Sequence, residues 1–230
     1  MKSITSPCAL MLVLVAPLAC GDKPQPRVPA PPSSQAKETA PATTTAATAA
    51  TTATTATTEA PGSDPASWVV SGPTDDGSIA RCAGLEFDKP PRWGWITPTM
   101  NFRTLQYTVP GQNGEPAADL IFSVFASGDG GPVDANIDRW AGQFRGLEGI
   151  PPREERSTIE VDGMTVKMIE LEGSYAGMGA AAPRSGWAQL GAIMQAPGRN
   201  VYIRLLGPSP TVLANKDAYD ALIRSARSAD

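Results

Sequence analysis

The chain has 230 residues and a formal net charge of −4, and it contains no histidine. Without histidine, Ser-His-Asp and Cys-His catalysis lack their base, and zinc loses its commonest nitrogen ligand. No basic block stands out among 19 Lys and Arg against 23 Asp and Glu, so nucleic acid is not an expected partner.

The first 20 residues have the pattern of a secretion signal. A short apolar run at 9–16 is followed by small residues up to Cys20. The run is too short to span a membrane and is typical of a cleaved signal. The segment resembles a bacterial lipobox, although Pro17 stands where leucine is usual. We expect 1–19 to be a lipoprotein signal peptide; secretion with ordinary cleavage nearby is the alternative.

Lipidation of Cys20 would place the protein in the bacterial cell envelope, facing the periplasm or the cell exterior. Acyl chains that each contribute ~0.8 kcal/mol per buried methylene would hold the chain on a membrane through its N-terminal lipid. Cys8 is lost with the signal, so Cys82 alone remains in the folded part. We expect a buried free thiol there, with a redox or dimerising thiol as the alternative. No metal and no cofactor are expected.

Residues 20–67 differ sharply in composition from the rest of the chain. Proline dominates 24–34, and 39–60 consists almost entirely of threonine and alanine. Such a segment has almost no bulky apolar side chain to bury, and β-branched threonine disfavours a helix. We therefore expect a disordered tether at 20–67, followed by one globular domain at 68–230.

Six segments of the globular part have strand character. They are 102–109, 118–126, 157–161, 165–172, 188–195 and 201–206. Within the second, residues 120–125 (LIFSVF) are apolar at nearly every position. This pattern predicts a central strand that is covered on both faces.

Two helices can cover such a sheet. The first has an apolar face with helical spacing, made by Val133, Ile137, Trp140 and Phe144. The second is expected to begin with Ser209 as N-cap and Pro210 at the first helical position. Its inward stripe is made by Val212, Tyr219, Leu222 and Ile223. Together the elements predict an α+β fold, in which a mostly antiparallel sheet of about six strands is sandwiched between helices.

Several segments resemble known families. The sequence FDKPPRW at 87–93 resembles the opening turn of PsbP-like and Mog-like domains, which implies their α-β-α fold. The segments ANIDRWAGQF at 135–144, WAQLGAIMQAPGRNVYIRLLGP at 187–208 and KDAYDALIRS at 216–225 resemble uncharacterised bacterial envelope proteins, often lipoproteins. Neither resemblance supplies a catalytic residue.

The helix at 133–144 carries a candidate binding surface on one flank, made by Asn136, Arg139 and Gln143. Such groups could bind a carboxylate or a sugar hydroxyl, because arginine offers a planar fork of donors. The favoured interpretation is that they brace neighbouring loop carbonyls, while Trp140 anchors the helix in the core. Glycines at 128, 130 and 131 permit the tight turn before the helix, and no phosphate-loop motif follows them.

Two further candidates lie between the later strands. Glu170 and Glu172 share one strand face at a spacing of about 7 Å, which can suit paired-carboxylate chemistry. The favoured interpretation is a solvated face without catalysis. Residues 174–186 are rich in small residues and predict a flap, in which Tyr175, Met178 and Arg184 could contribute to a site.

The sequence thus favours a lipid-anchored envelope protein with a non-enzymatic binding or scaffolding domain. Its expected partner is another protein or component of the envelope. The alternative is a small-ligand carrier that uses a groove between the sheet and the 174–186 flap, and a hydrolase ranks third.

Overall fold

The computed structural model describes residues 68–146 and 150–229. The predicted signal peptide, Cys20 and the predicted tether lie outside these residues. In the part of the chain that the structure describes, every helix is too short or too polar to cross a membrane.

The fold is α+β with mostly antiparallel sheets, as predicted. The strands of the described residues are β1 (Ile79–Cys82), β2 (Leu85–Asp88), β3 (Gly94–Trp95), β4 (Leu105–Val109), β5 (Ala118–Ala126), β6 (Phe144–Arg145), β7 (Arg153–Val161), β8 (Met164–Tyr175), β9 (Arg184–Ala196), β10 (Arg199–Pro208) and β11 (Arg227–Ser228). The helices of the same ranges are α1 (Val133–Ala141), α2 (Ser209–Ala214) and α3 (Lys216–Arg224).

The strands form two antiparallel sheets within residues 68–146 and 150–229. The small sheet has the order β1-β2-β11, and the large sheet has the order β3-β4-β5-β10-β9-β8-β6, with β7 also paired to β8. Tight hairpins set the register of the long strands. Between β7 and β8 the turn residues Asp162 and Gly163 both have positive φ, 47° and 73°, which matches the right-handed twist of a hairpin.

Alternating side chains divide the large sheet into two faces. On β10, Val201 and Ile203 belong to a large buried cluster with residues of the small sheet, α2 and α3. Tyr202 and Leu206 belong to a smaller cluster on the opposite side, where they pack with α1. We call these the closed face and the α1 face.

Each of the six predicted strands corresponds to a strand of the structure, but several were predicted too short. Strand β5 has the predicted bounds, whereas β7, β8, β9 and β10 each extend beyond the prediction. The prediction for 102–109 was wrong at its start: Phe102 has φ 67° and lies in a turn before β4. The left-handed conformation at that residue prevents it from continuing the strand.

Both helix predictions need correction. Helix α1 ends before Phe144, which lies in β6 and is buried beside the helix. The second helix is divided at Asn215 into α2 and α3, and Pro208 rather than Ser209 precedes its first turn. The Ser209 hydroxyl is buried without a hydrogen-bond partner among the described residues, so it does not cap the helix. The inward stripe from Val212 to Ile223 is buried as predicted.

Cys82 is a buried free thiol, as predicted. It lies in β1 and packs in the cluster of the closed face. Burial raises the pKa of its thiol to about 12, because the thiolate would lose its hydration there. The side chain therefore behaves as a small apolar group at neutral pH.

Candidate functional site

A groove of about 330 Å³ opens on the α1 face of the large sheet. Strands β5 and β10 form its floor through residues such as Ser123 and Arg204. Helix α1 forms one wall, and residues 100–103 and the loop at 176–183 contribute the others. Because Arg103, Arg139 and Arg204 all line it, we call it the arginine groove.

Arg204 comes from the middle of the large sheet and is partly buried. It pairs in register with Ile121 on β5 and with Gly191 on β9. Its Nε donates to Gln189 Oε1 at 2.9 Å, its Nη2 donates to Gln143 Oε1 at 3.2 Å, and its guanidinium lies 5.2 Å from the centre of the Trp140 ring. The side chain is thus held by neutral groups that leave its charge uncompensated.

The surroundings of Arg204 disfavour its charge. Burial lowers the pKa of the Arg204 guanidinium, and the nearby charges of Arg139 and Arg103 lower it further. The Tyr175 hydroxyl acts in the opposite direction and raises this pKa. An arginine keeps its proton even so, since its ordinary pKa lies far above neutrality. An anion placed between these cations would therefore be attracted by uncompensated positive charge.

Carboxylates are scarce around the groove. Its lining, within the described residues, contains no Asp or Glu. Arg103 is the one partly neutralised cation, with Nη1 lying 3.8 Å from Asp119 Oδ2 outside the lining. Neither Arg139 nor Arg204 has a carboxylate oxygen of a described residue within 4 Å of its guanidinium nitrogens.

The groove also exposes apolar groups. Phe102, Met100 and Met178 line it and are 77%, 60% and 86% exposed. Phe102 stacks on Phe125 with ring centroids 6.1 Å apart, and Phe125 meets Tyr202 edge to face at 5.2 Å. A positive floor and an apolar rim thus meet in one concave surface.

The three residues of the predicted helix flank have different roles. Asn136 is 4% exposed, and its Nδ2 donates to the carbonyls of Gly130 at 2.8 Å and Pro132 at 3.0 Å. It braces the turn before α1, as the favoured interpretation held. Arg139 is exposed, donates to Asn136 Oδ1 and lines the groove, and Gln143 orients Arg204.

The predicted flap contributes only part of its candidates to the groove. Strands β8 and β9 extend into 174–186 and pair Tyr175 with Arg184, so the connecting loop is shorter than predicted. Tyr175 and Met178 line the groove. Arg184 does not line it, and its guanidinium lies 4.7 Å from the centre of the Trp187 ring.

Trp140 anchors α1 to the sheet, as predicted, and is 2% exposed. Its ring lies against Gly191 on β9, where a Cβ atom would come within 2.7 Å of Trp140 Cζ3. Glycine at this position therefore lets the helix approach the sheet closely. The same packing fixes the groove wall, because Arg139 in α1 and Gln143 just after the helix lie close to Trp140 in the sequence.

The interpretation of Glu170 as part of a solvated face was wrong. Glu170 is 5% exposed, and it pairs with Lys216 at 2.6 Å and with Arg153 at 3.2 Å. These ion pairs connect β7, β8 and α3 at the closed face, and they satisfy the buried charge of the carboxylate. Glu172 is half-buried and has no cationic group of a described residue within ion-pair distance, so the structure brings no carboxylate pair together as a site.

Sequence reasoning missed Arg204, Arg103 and Phe102. Arg204 had a detectable signal, because it is a single charge within the apolar strand VYIRLL and arginine is rarely buried without a function or a partner. Arg103 and Phe102 had none, since the turn that places them precedes β4 without a glycine or proline at 102–103. Across the described ranges no three Cys, Asp or Glu side chains come together as a metal site.

Comparisons with known proteins give structural likenesses alone. No family model matches the chain, and no curated protein matches it. Among solved structures, the chain is similar to cyanobacterial PsbP from Synechocystis, with 14% identity and a TM-score of 0.43 over 70% of this chain and 98% of that one.

Two further solved structures are similar to the chain. One is LpqN of Mycobacterium tuberculosis, described as involved in cell envelope biogenesis, with 14% identity and a TM-score of 0.40 over 66% of this chain and 85% of that one. The other is a Pseudomonas aeruginosa protein of unknown function, with 11% identity and a TM-score of 0.41 over 64% and 93% of the two chains. A PsbP is thus among the similar structures, and membership in an envelope lipoprotein family stays a prediction.

Proposed function

We propose that this protein is a non-enzymatic binding protein of the bacterial envelope that holds a small anionic ligand in the arginine groove. The observation that carries the proposal is Arg204, a partly buried cation that is oriented by two glutamines and has no carboxylate partner among the described residues. Arg139 lies at the same groove and leaves a second charge uncompensated.

The shape of the groove favours a small ligand over a protein partner. Its volume of about 330 Å³ lies at the lower end of the roughly 300–1,000 Å³ typical of small-molecule sites. A carboxylate, phosphate or sulfate group suits it, because arginine donates to such groups with two parallel N–H bonds. Binding of a small ligand, which the sequence indicated as the alternative function, is therefore our leading proposal.

The chemistry of the lining favours binding over catalysis. The chain has no histidine, and the groove lining offers neither a lysine nor a carboxylate among the described residues. General acid–base catalysis needs a titratable group within hydrogen-bond reach of the ligand, and besides the arginines the described lining offers only the phenols of Tyr175 and Tyr202. Burial raises the pKa of Tyr202, which makes it a weaker acid at neutral pH. The arginines stay protonated and act as donors alone.

A matched pair of fluorescent probes tests the proposal. Anilinonaphthalene sulfonate carries an anionic group, and phenylnaphthylamine has the same rings without it. We expect the sulfonate to bind more tightly, and Arg139→Gln to weaken its binding about tenfold, which corresponds to ~1.4 kcal/mol, while phenylnaphthylamine is unaffected. The control Arg156→Gln removes an exposed arginine on β7 that pairs with Asp138, and it should change neither. Equal affinity for both probes would contradict the proposal.

The proposed location rests on the sequence from residue 9 to Cys20. We propose that a lipid on Cys20 holds the protein on a membrane. Cys20→Ala should then release the protein into the soluble fraction, whereas the matched substitution Cys8→Ala, within the predicted signal peptide, should not. Fractionation in high salt measures this, and a Cys20→Ala protein that still sediments with membranes excludes the lipid anchor.

A further inference from the structure

We infer that the ligand of the arginine groove is a single-chain anionic amphiphile, in which a phosphate, carboxylate or sulfate head is joined to one apolar chain. The inference rests on the proposed function. It adds that the part of the ligand away from the arginines is apolar, and it is argued from the apolar surface of the groove.

The mouth of the groove is formed by Met100, Phe102 and Met178, which we call the apolar mouth. These are among the most exposed large apolar side chains of the described residues, and they lie on two separate segments. Water in contact with such groups is unfavourable, so burial against an apolar chain would be a gain in free energy. Methionine side chains are flexible and adapt to ligands of irregular shape.

A continuous series of ring contacts leads from this mouth to Arg204. Phe102 stacks on Phe125 at 6.1 Å, Phe125 meets Tyr202 at 5.2 Å, and Tyr202 meets Trp140 at 6.1 Å between ring centroids. The Trp140 ring lies 5.2 Å from the Arg204 guanidinium. Phe125 and Tyr202 line the groove between the mouth and the arginines, so a ligand that fills the groove from the mouth would place its charged head near Arg204 and Arg139.

The backbone at Phe102 supports a role for the mouth. Its φ of 67° is in the left-handed region, where a bulky side chain is a genuine outlier, and the side chain is 77% exposed. Glycine or asparagine would adopt this conformation more readily. A strained and exposed aromatic ring contributes little to the fold, and such residues cluster at ligand sites.

The size of the groove limits the ligand to one chain. A volume of about 330 Å³ holds a small molecule and is too small for a lipid with two long chains. The charges select the head: the described lining carries three arginines and no carboxylate, so a cationic head on the same chain would be repelled.

A chain-length series of alkyl phosphates tests the inference. The full chain carrying Cys20→Ala, which removes the predicted lipid of the protein itself, is titrated by calorimetry with butyl, octyl and dodecyl phosphate below their micelle concentrations. We expect affinity to rise by up to about fourfold per methylene, which corresponds to ~0.8 kcal/mol, until the groove is filled. Dodecyltrimethylammonium should bind at least tenfold more weakly than dodecyl phosphate.

Two variants of the protein test where the alkyl chain of the ligand lies. Phe102→Ser together with Met178→Ser should flatten the dependence of affinity on the length of the alkyl chain. The control Val69→Ser changes a residue that is 60% exposed outside the groove, and it should leave the series as in the parent.

The outcomes separate this inference from the proposed function. If all three alkyl phosphates bind equally and Arg139→Gln weakens them all, the groove binds anions but the amphiphile is excluded. If Arg139→Gln changes none of them, the proposed function fails as well. If the protein binds vesicles containing anionic phospholipid and no monomeric alkyl phosphate, the mouth docks on a membrane surface and the inference is wrong.

Discussion

The two faces of the large sheet are covered in different ways. On the closed face the small sheet, α2 and α3 complete a continuous apolar core, in which Val201 and Ile203 of β10 are fully buried. On the α1 face the same strand presents Tyr202 and Arg204, and a single helix lies above them. One strand therefore serves both as core and as the floor of a groove.

Helix length explains why the α1 face stays open. Helix α1 has nine residues and spans about 13–14 Å at 1.5 Å per residue. The large sheet, with strands about 4.8 Å apart, is roughly twice as wide. The uncovered area begins beside Trp140, and polar groups such as Ser123 and Arg204 can lie there because solvent or a ligand can reach them.

The largest expected effects come from removing one large ring from each face. Phe122 is fully buried on the closed face and Trp140 is 2% exposed on the α1 face. Phe122→Ala and Trp140→Ala should each lower the free energy of unfolding by about 3–5 kcal/mol, the usual result of truncating a buried aromatic residue. Urea denaturation measures both losses.

Ligand binding should distinguish these two variants. At temperatures where both remain folded, Trp140→Ala should weaken anilinonaphthalene sulfonate binding, because Trp140 holds α1 and contacts Arg204. Phe122→Ala should leave it unchanged. Equal loss of binding in both variants would mean that the faces are not independent.

The sequence predicted the parts of the fold that depend on long apolar runs. Strand β5 was predicted with its bounds because its apolar run is long, and the stripe of α2 and α3 is buried as expected because its apolar residues recur at helical spacing. Strands β3, β6 and β11 have two residues each and no detectable period. The additional strands of the small sheet, β1 and β2, were too short to recognise and were missed.

The candidate site could be predicted only in part. Helix spacing alone placed Arg139 and Gln143 on one flank of the predicted helix at 133–144; the structure places both at the groove, with Gln143 just beyond the end of α1. Arg204 joins them through the register of β10 against β5 and β9, which depends on residues distant in sequence. Phe102 was assigned to a strand because β-propensity does not detect a positive φ.

Asn136→Ala tests the boundary between core and groove and should have an intermediate effect. Its Nδ2 donates to two carbonyls of the turn before α1, and their loss should lower the free energy of unfolding by about 1–3 kcal/mol. Asn136→Asp has nearly the same shape without the donor and should lose a similar amount. If either variant is as stable as the parent in urea, the bracing role is wrong.

The smallest effect on stability is expected at Phe102. A non-glycine residue in the left-handed conformation is disfavoured by about 1–2 kcal/mol, and glycine loses roughly 0.5–1 kcal/mol through its greater freedom in the unfolded chain. Phe102→Gly should therefore raise the free energy of unfolding by no more than about 1.5 kcal/mol. It should also weaken dodecyl phosphate binding. The control Asn113→Gly replaces another exposed residue at positive φ, 55°, outside the groove, and should leave binding unchanged.

A loss of stability above about 1 kcal/mol in Phe102→Gly would show that the Phe102 ring supports the fold despite its exposure. The apolar mouth would then stabilise the fold rather than bind a ligand. The α1 face would resemble the closed face more than its open groove indicates.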